Sequence, residues 1–176
     1  MKEKFGKVLF SRGDISRRVQ EIASDINRFY AGEPLVVLCV LKGAFMFFAD
    51  LIKHVTVLPE IDFVRIASYG NSVSAGKAIS FTKDIELSLQ DKHVLIVEDI
   101  VDTGHSMQFL FGQMQARGAK SMRLCALIDK QERRETDVKV DLSGFKLADG
   151  FIVGYGLDYA EKYRELPEIR LLEFIH

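Results

Sequence analysis

The stretch VLIVEDIVDTGHSM, residues 94–107, decides how the rest of the chain is read. An apolar run ends in the carboxylates Glu98, Asp99 and Asp102, followed at once by Thr103, Gly104, His105 and Ser106. Like charges this close repel, and hydroxyls beside a glycine make poor core. The apolar part, HVLIVE (93–98), is continuous and rich in β-branched residues, which predicts a strand buried on both faces, as in parallel sheets. Residues 104–117 carry Met107, Leu110, Phe111 and Met114 at helical spacing and predict a helix ending near Gly118. The acids then sit at the carboxyl end of a buried strand, and the Thr-Gly-His-Ser cluster sits where a helix begins.

Working outward, Ile15, Val19, Ile22, Ile26 and Phe29 recur every three or four residues, an amphipathic helix with Asp14 as N-cap and Gly32 closing it. LVVLCVL (35–41) reads as another doubly buried strand, GAFMFFADLIKHV (43–55) as a helix, and IDFVRIASY (61–69) as a strand. The polar, glycine-bearing loop GNSVSAGK follows. SMRLCALI (121–128) reads as a third buried strand and GFIVGYG (150–156) as a fourth. This alternation predicts an α/β fold, an open and mostly parallel twisted sheet flanked by helices with right-handed crossovers. Ligands of such sheets bind beyond the carboxyl ends of the strands. Without repeats or Pro/Ser linkers, residues 1–176 read as a single domain.

The net charge of −1 gives no global pull toward nucleic acid. Cys39 and Cys125 lie in apolar runs and read as buried thiols, with no zinc-ligand spacing. The opening MKEKFGKVLFSRGD lacks the apolar segment of a signal peptide, and no run reaches the roughly 20 apolar residues of a membrane span. The expectation is a cytoplasmic protein that binds neither membrane nor nucleic acid. No Walker-type G-x-x-x-x-G-K-[ST] and no G-x-G-x-x-G after a strand is present, which argues against those nucleotide-binding classes.

A helix N-terminus offers unpaired N–H groups and about half a positive charge. With Gly104 allowing close approach and Thr103 and Ser106 supplying hydroxyls, this corner suits a phosphate. The carboxylates suit neighbours that donate hydrogen bonds or carry positive charge: sugar hydroxyls, Mg²⁺ or a developing cation. A sugar phosphate meets both demands. The plainer reading is a solvated acidic turn in which Asp102 or Thr103 caps a helix.

VLIVEDIVDTGHS resembles the phosphoribosyl-pyrophosphate motif of purine phosphoribosyltransferases, a branch of the type I phosphoribosyltransferase family. VLKGAFMF (40–47) resembles that family's pyrophosphate loop and ASYGNSVSAGK (67–77) its mobile loop. DGFIVGYGLDYAEKYRELPEI (149–169) resembles the purine-binding and C-terminal segment of the hypoxanthine(-guanine) branch. These motifs stand in family order across residues 35–175. The resemblance implies a small hood formed by the N- and C-terminal segments above the sheet, a homo-oligomer (dimer or tetramer), Mg²⁺ as cofactor, and phosphoribosyl pyrophosphate with a 6-oxopurine as substrates.

It also implies roles. Glu98 and Asp99 hold the ribose hydroxyls and, with Asp158, face the metal. Asp102 acts as general base or acid beside the purine's five-membered ring, and with Thr103, Gly104, His105 and Ser106 forms the 5′-phosphate loop. Lys42, Gly43 and Arg164 bind pyrophosphate, and the family's Lys-Gly peptide there is cis. Ser68 and Tyr69 belong to a lid. Lys130 meets the exocyclic oxygen of the base, Phe151 stacks on it, the Ile152 backbone bonds its edge, and Asp158 lies nearby. Family patterns often have Lys or Arg where His105 stands, which leaves phosphate binding to the loop amides. A non-catalytic regulator that binds the same sugar phosphate should lack the acid beside the base or add a DNA-binding domain. For a uracil-type relative, EDIVDTG and FIVGYGLDY are the wrong forms.

Overall fold

Along β2 (Leu35–Leu41), Val36, Leu38 and Val40 alternate with Leu35, Val37 and Cys39, and both sets are buried. Such a strand needs a layer on each side. In the computed structural model, which describes residues 2–69 and 78–175, it has both. One face packs Val37, Cys39, Leu95, Val97, Cys125 and Leu127 against helices α1 (Arg12–Phe29) and α2 (Phe45–Ile52). The other packs Val36, Leu38, Val40, Val94, Ile96 and Leu124 against Met107, Leu110 and Met114 of α3 (His105–Ala116).

The remaining strands of this sheet are β3 (Glu60–Tyr69), β4 (Ala78–Lys83), β5 (His93–Val101), β6 (Ser121–Asp129) and β7 (Leu142–Lys146). Their order is β4-β3-β2-β5-β6-β7, parallel except for β4. A separate antiparallel sheet joins β1 (Lys2–Phe10), β9 (Ile169–Ile175) and β8 (Ile152–Val153). This pairing of the chain's two ends is the expected hood.

Several local expectations are corrected. Residues 150–156 are not a fourth strand of the main sheet. Only Ile152 and Val153 are strand, and they pair with β9, while positive φ at Gly154, Tyr155 and Gly156 bends the chain away. The main sheet instead ends on β7. β5 does not stop at Glu98, because the register with β6 continues through Ile100↔Ile128 and Val101↔Asp129. Helix α1 is capped by Ser11, whose Oγ accepts from the Asp14 amide while Asp14 Oδ2 accepts from the Ser11 amide, a reciprocal capping box. Its last turn ends at Tyr30 rather than Gly32. Phe29 is half-exposed, with the guanidinium of Arg123 4.6 Å from its ring centre. Both cysteines are free and buried as expected, and burial pushes the Cys39 thiol up to about 12. Among the described residues no helix is long and apolar enough to cross a membrane.

Asp62 is the buried acid that ties β3 to the segment before β5. Its Oδ2 accepts from the amides of Glu86 (2.7 Å) and Leu87 (3.0 Å), its Oδ1 from that of Phe63 (2.7 Å), and Lys83 Nζ lies 3.5 Å away. Burial pushes this carboxyl up, but the three amides and Lys83 overcome it and hold it below its ordinary value. A depressed carboxyl stabilises the fold above its unfolded value and stops doing so as pH falls through the folded one. Asp62→Ala is expected to cost about 2–3 kcal/mol at pH 7 in urea unfolding, since the amides stay buried without an acceptor. The gap to wild type should narrow as pH drops below 3.8, the carboxyl's ordinary value. A gap independent of pH would show that the carboxylate's charge is not what anchors the segment.

Candidate active site

The carboxyl ends of β2, β5 and β6 lie side by side, and the loops that follow them carry most of the residues singled out in the sequence. Glu98, Asp99, Asp102, Thr103, Gly104, Ser106 and Met107 line a cavity of about 170 Å³ at the end of β5. Glu98 is buried, and its Oε1 accepts from the Asp99 amide at 2.9 Å. Asp99 Oδ1 accepts from the Ile100 amide at 2.8 Å. Burial, and after it the charge of Asp99, push the Glu98 carboxyl well above the usual carboxylate range. Neither acid has a cationic partner among the described residues.

Asp102 stands one turn of chain further on. Its Oδ1 is buried and receives no hydrogen bond, although Arg133 Nε lies 3.1 Å away, close enough for an ion pair but not aligned to donate. Gly104 is the N-cap of α3 with φ +91°, and no side chain caps the helix, so its first amides are open to the cavity side. His105 points to Glu135, with Nε2 2.9 Å from Oε2. Its ring is therefore engaged outside the loop, and the loop amides and the hydroxyls of Thr103 and Ser106 are the donors left beside the cavity.

The loop after β2 touches this corner directly. A Cβ on Gly43 would overlap the Asp99 carboxylate, and a Cβ on Gly156 would overlap the Gly43 carbonyl. Gly156 also has φ +99°, which only glycine adopts freely. The cis peptide of this loop is Leu41–Lys42, one position before the expected Lys42–Gly43, which is trans. Gly43 meets its crowding by having no side chain. Lys42 Nζ lies 2.9 Å from Glu161 Oε2, and the same oxygen is 3.3 Å from Arg164 Nη2. Arg164 also pairs with Asp158 at 2.8 Å and donates to the Gly156 carbonyl at 2.7 Å. Lys42 first, then Arg164, hold the Glu161 carboxyl below its ordinary value.

Lys130 follows β6 and is buried, its Nζ donating to the Gly150 carbonyl at 2.9 Å. That contact sets it beside Phe151, which is 45% exposed and stands edge-to-face against Tyr159 and Phe174 at 5.5 and 5.6 Å. The Leu172 amide donates to the Phe151 carbonyl, which makes this a hydrogen-bonded pair of the β8–β9 ladder. The next pair, Ile152 and Leu171, is then non-hydrogen-bonded, and the Ile152 amide and carbonyl face the open edge of β8.

Two expectations fare differently. Ser68 and Tyr69 close β3, opposite Ile79 and Ala78 of β4, but residues 70–77 of the lid motif lie outside the described residues. Glu98, Asp99 and Asp158 do not form one metal-binding cluster. Among the described residues no three His, Cys, Asp or Glu side chains gather to hold an ion, and Asp158 pairs with Arg164. A larger cleft, about 510 Å³, lies between α1 and α2 against Arg12, Asp50, Lys53 and Tyr155, and shares no residue with the β5 corner. Sequence reasoning missed Glu161, Asp129, Arg133 and Arg134. The last three lie in the charge run DKQERRETD (129–137), which by composition is a solvated face.

Gly43→Ala is expected to lower stability by about 1–3 kcal/mol, the usual cost of overpacking, because its methyl group meets a carboxylate anchored by a backbone amide. Chemical denaturation measures it. A variant as stable as wild type would mean that the loop shifts without cost and that the contact with Asp99 is not fixed.

The sequence model of the phosphoribosyl transferase domain matches residues 9–160. The hypoxanthine-guanine phosphoribosyltransferase of Bacillus subtilis is 41% identical over 98% of this chain and 96% of its own. The hypoxanthine phosphoribosyltransferase of Haemophilus influenzae is 39% identical, with 96% of each chain covered. Among solved structures, a hypoxanthine phosphoribosyltransferase from Staphylococcus aureus superposes with a TM-score of 0.92 at 37% identity, covering 96% of this chain and 92% of that one. With this match along nearly its whole length, the chain belongs to the hypoxanthine(-guanine) branch of the phosphoribosyltransferase family.

Proposed function

We propose that the chain transfers the 5-phosphoribosyl group of phosphoribosyl pyrophosphate to hypoxanthine, and to guanine, releasing pyrophosphate in purine salvage. One observation carries this reading: an uncapped helix N-terminus, an acid pair with Glu98 buried and Asp99 half-buried, and a lysine beside an exposed aromatic ring stand at the carboxyl ends of neighbouring strands. The first takes the 5′-phosphate through the amides of Gly104, His105 and Ser106 and the hydroxyls of Thr103 and Ser106. The acid pair accepts hydrogen bonds from the ribose hydroxyls. Lys130 and Phe151 take the base.

Mg²⁺ fits these residues in a limited way. It is held by one or two carboxylates together with substrate oxygens rather than by an all-protein cage. Glu98 and Asp99 offer hard oxygens without a cationic partner among the described residues and would hold the ion, with Asp158, paired with Arg164, in an outer position. When bound, Mg²⁺ gathers pyrophosphate charge and makes it a better leaving group.

Lys42 and Arg164 lie together on the Glu161 carboxylate and supply positive charge for the departing pyrophosphate. As the bond to pyrophosphate breaks, the anomeric carbon becomes cationic and the purine nitrogen attacks from the opposite face. The carboxylates at the end of β5 stabilise that charge. Asp102 accepts the proton of the purine's five-membered ring, a role that suits a buried oxygen without a donor. Ser68 and Tyr69, at the end of β3, belong to a cover that excludes water. Incubation with purines, phosphoribosyl pyrophosphate and Mg²⁺ tests the whole reading, and no release of pyrophosphate would refute it.

Asp102→Asn is expected to lower turnover by about 10²–10⁴-fold, as for a lost general acid–base. Affinity for phosphoribosyl pyrophosphate should move by less than about threefold, because the phosphate loop is intact. Turnover within threefold of wild type would remove Asp102 from the chemistry.

Base choice follows from donors. One of the three Lys130 ammonium hydrogens goes to Gly150, which leaves two for the base. They match the 6-oxo group of hypoxanthine or guanine and oppose the amino group of adenine. Adenine is expected to be rejected by at least about 10²-fold in kcat/KM against hypoxanthine. Lys130→Gln, whose amide also accepts, should narrow that ratio in a competition assay. An unchanged ratio in the variant would hand discrimination to backbone groups such as those of Ile152.

A further inference from the structure

The loop that carries Asp102 is braced from behind by a segment with no role so far. Arg134 Nε donates to the Asp102 carbonyl at 3.0 Å, and Nη1 donates to the Val138 carbonyl. Its Nη2 pairs with Asp129 Oδ1 at 2.6 Å, and both side chains are almost wholly buried, 13% and 3% exposed. Asp129 Oδ2 accepts from Gln131 Nε2 at 3.0 Å, so the anchor is itself held. Around this fork the Lys130 amide donates to the Val101 carbonyl, and the Glu135 amide and Thr136 Oγ1 hold the Thr103 carbonyl. A Cβ on Gly104 would meet Thr136 Oγ1 and Arg134 Cδ.

We infer that Arg134 is a positioning residue for the reaction: its guanidinium fixes the Asp102 peptide against the Asp129–Lys130 corner. The acid at the five-membered ring and the lysine at the 6-oxo group thereby keep one spacing. The geometry calls for arginine. Four acceptors in different directions, the carbonyls of Asp102, Val138 and, at 3.5 Å, Val101 together with the Asp129 carboxylate, need a planar fork, whereas lysine offers a point charge that satisfies Asp129 but leaves the Asp102 carbonyl unheld. The Thr103 carbonyl has its own two donors, the Glu135 amide and Thr136 Oγ1, so its hold does not run through the guanidinium.

This inference rests on the reading of Asp102 as general acid–base, and a double-mutant cycle separates the two. Arg134→Lys is expected to lower kcat for inosine monophosphate formation by about 10–100-fold, the cost of a small misplacement. KM for phosphoribosyl pyrophosphate should stay within about threefold. In an Asp102→Asn background the same substitution should cost less than about threefold, since it then displaces a group that no longer works. Asp129→Asn, which loosens the anchor and leaves Arg134 in place, should show the same dependence on Asp102 with a smaller loss. If Asp102→Asn alone keeps full turnover, the general-base reading fails first. If Asp102→Asn is impaired but Arg134→Lys costs the same factor in both backgrounds, or nothing in either, the positioning role is overturned and the base reading stands. Failure of both Arg134→Lys and Asp129→Asn to fold would likewise overturn it, by showing that the brace serves the fold instead.

Discussion

Asp99, Gly43 and Gly156 meet with no side-chain carbon between them, and the position of everything else in the site follows from that contact. Asp99 lies near the end of β5, Gly43 on the loop after β2, and Gly156 beyond β8 of the hood. The sheet alone would align the first two, since β2 and β5 are adjacent and parallel. It would not bring the hood down on them. The absence of Cβ atoms does so, because it lets the Gly43 carbonyl approach Gly156 and the Asp99 carboxylate approach Gly43. Arg164, which donates to the Gly156 carbonyl, is thereby carried to within reach of Lys42's partner Glu161. Residues more than 100 positions apart thus share one charge cluster.

The ion pairs around this contact differ in kind. Lys42–Glu161 joins half-exposed side chains, 45% and 64% accessible, and such pairs contribute about 0–1 kcal/mol. It can be exchanged for a ligand anion at little cost. Arg134–Asp129 is buried, and removing one partner of such a pair costs about 3–5 kcal/mol because the other charge is left in the interior. The first arrangement suits a place that anionic substrates enter and leave, and the second suits a frame that must not move. Burial sorts the charges of the site into exchangeable and permanent ones.

Much of this was legible in the sequence, and what was not has physical causes. β2, β5 and β6 announce themselves because both faces of each are buried, so apolar residues run without a break. The acids were rightly read at the end of β5, though the strand runs to Val101 because pairing with β6 overrides the polar composition of its last turn of sequence. β7 escaped notice because LSGFK is short and contains Gly144, whose missing side chain makes room for the Leu127 carbonyl. GFIVGYG looks like core strand, yet three consecutive positive-φ residues turn it into a hood. Arg134 and Glu161 were invisible for a different reason. A charged residue in a polar run carries no local sign of the carbonyl or cation that the fold will place opposite it.

The start of α3 shows how local stability and function compete. A hydroxyl or carboxamide N-cap would bond one of the free amides and add about 1 kcal/mol to the helix. Helix α1 takes that option with Ser11 and Asp14, on a side of the molecule away from the β5 cavity. Helix α3 begins on Gly104 in the left-handed region, with no side-chain cap and no acidic residue in its first turn. Its amides are left without a side-chain cap, as the proposed phosphate site requires, and Thr103 and Ser106 line the same cavity. Because these donors are backbone, they do not depend on the side chain of residue 105, and the histidine there is turned out toward Glu135. A departure from good helix chemistry in a chain that elsewhere follows it marks a place where something other than folding sets the residue.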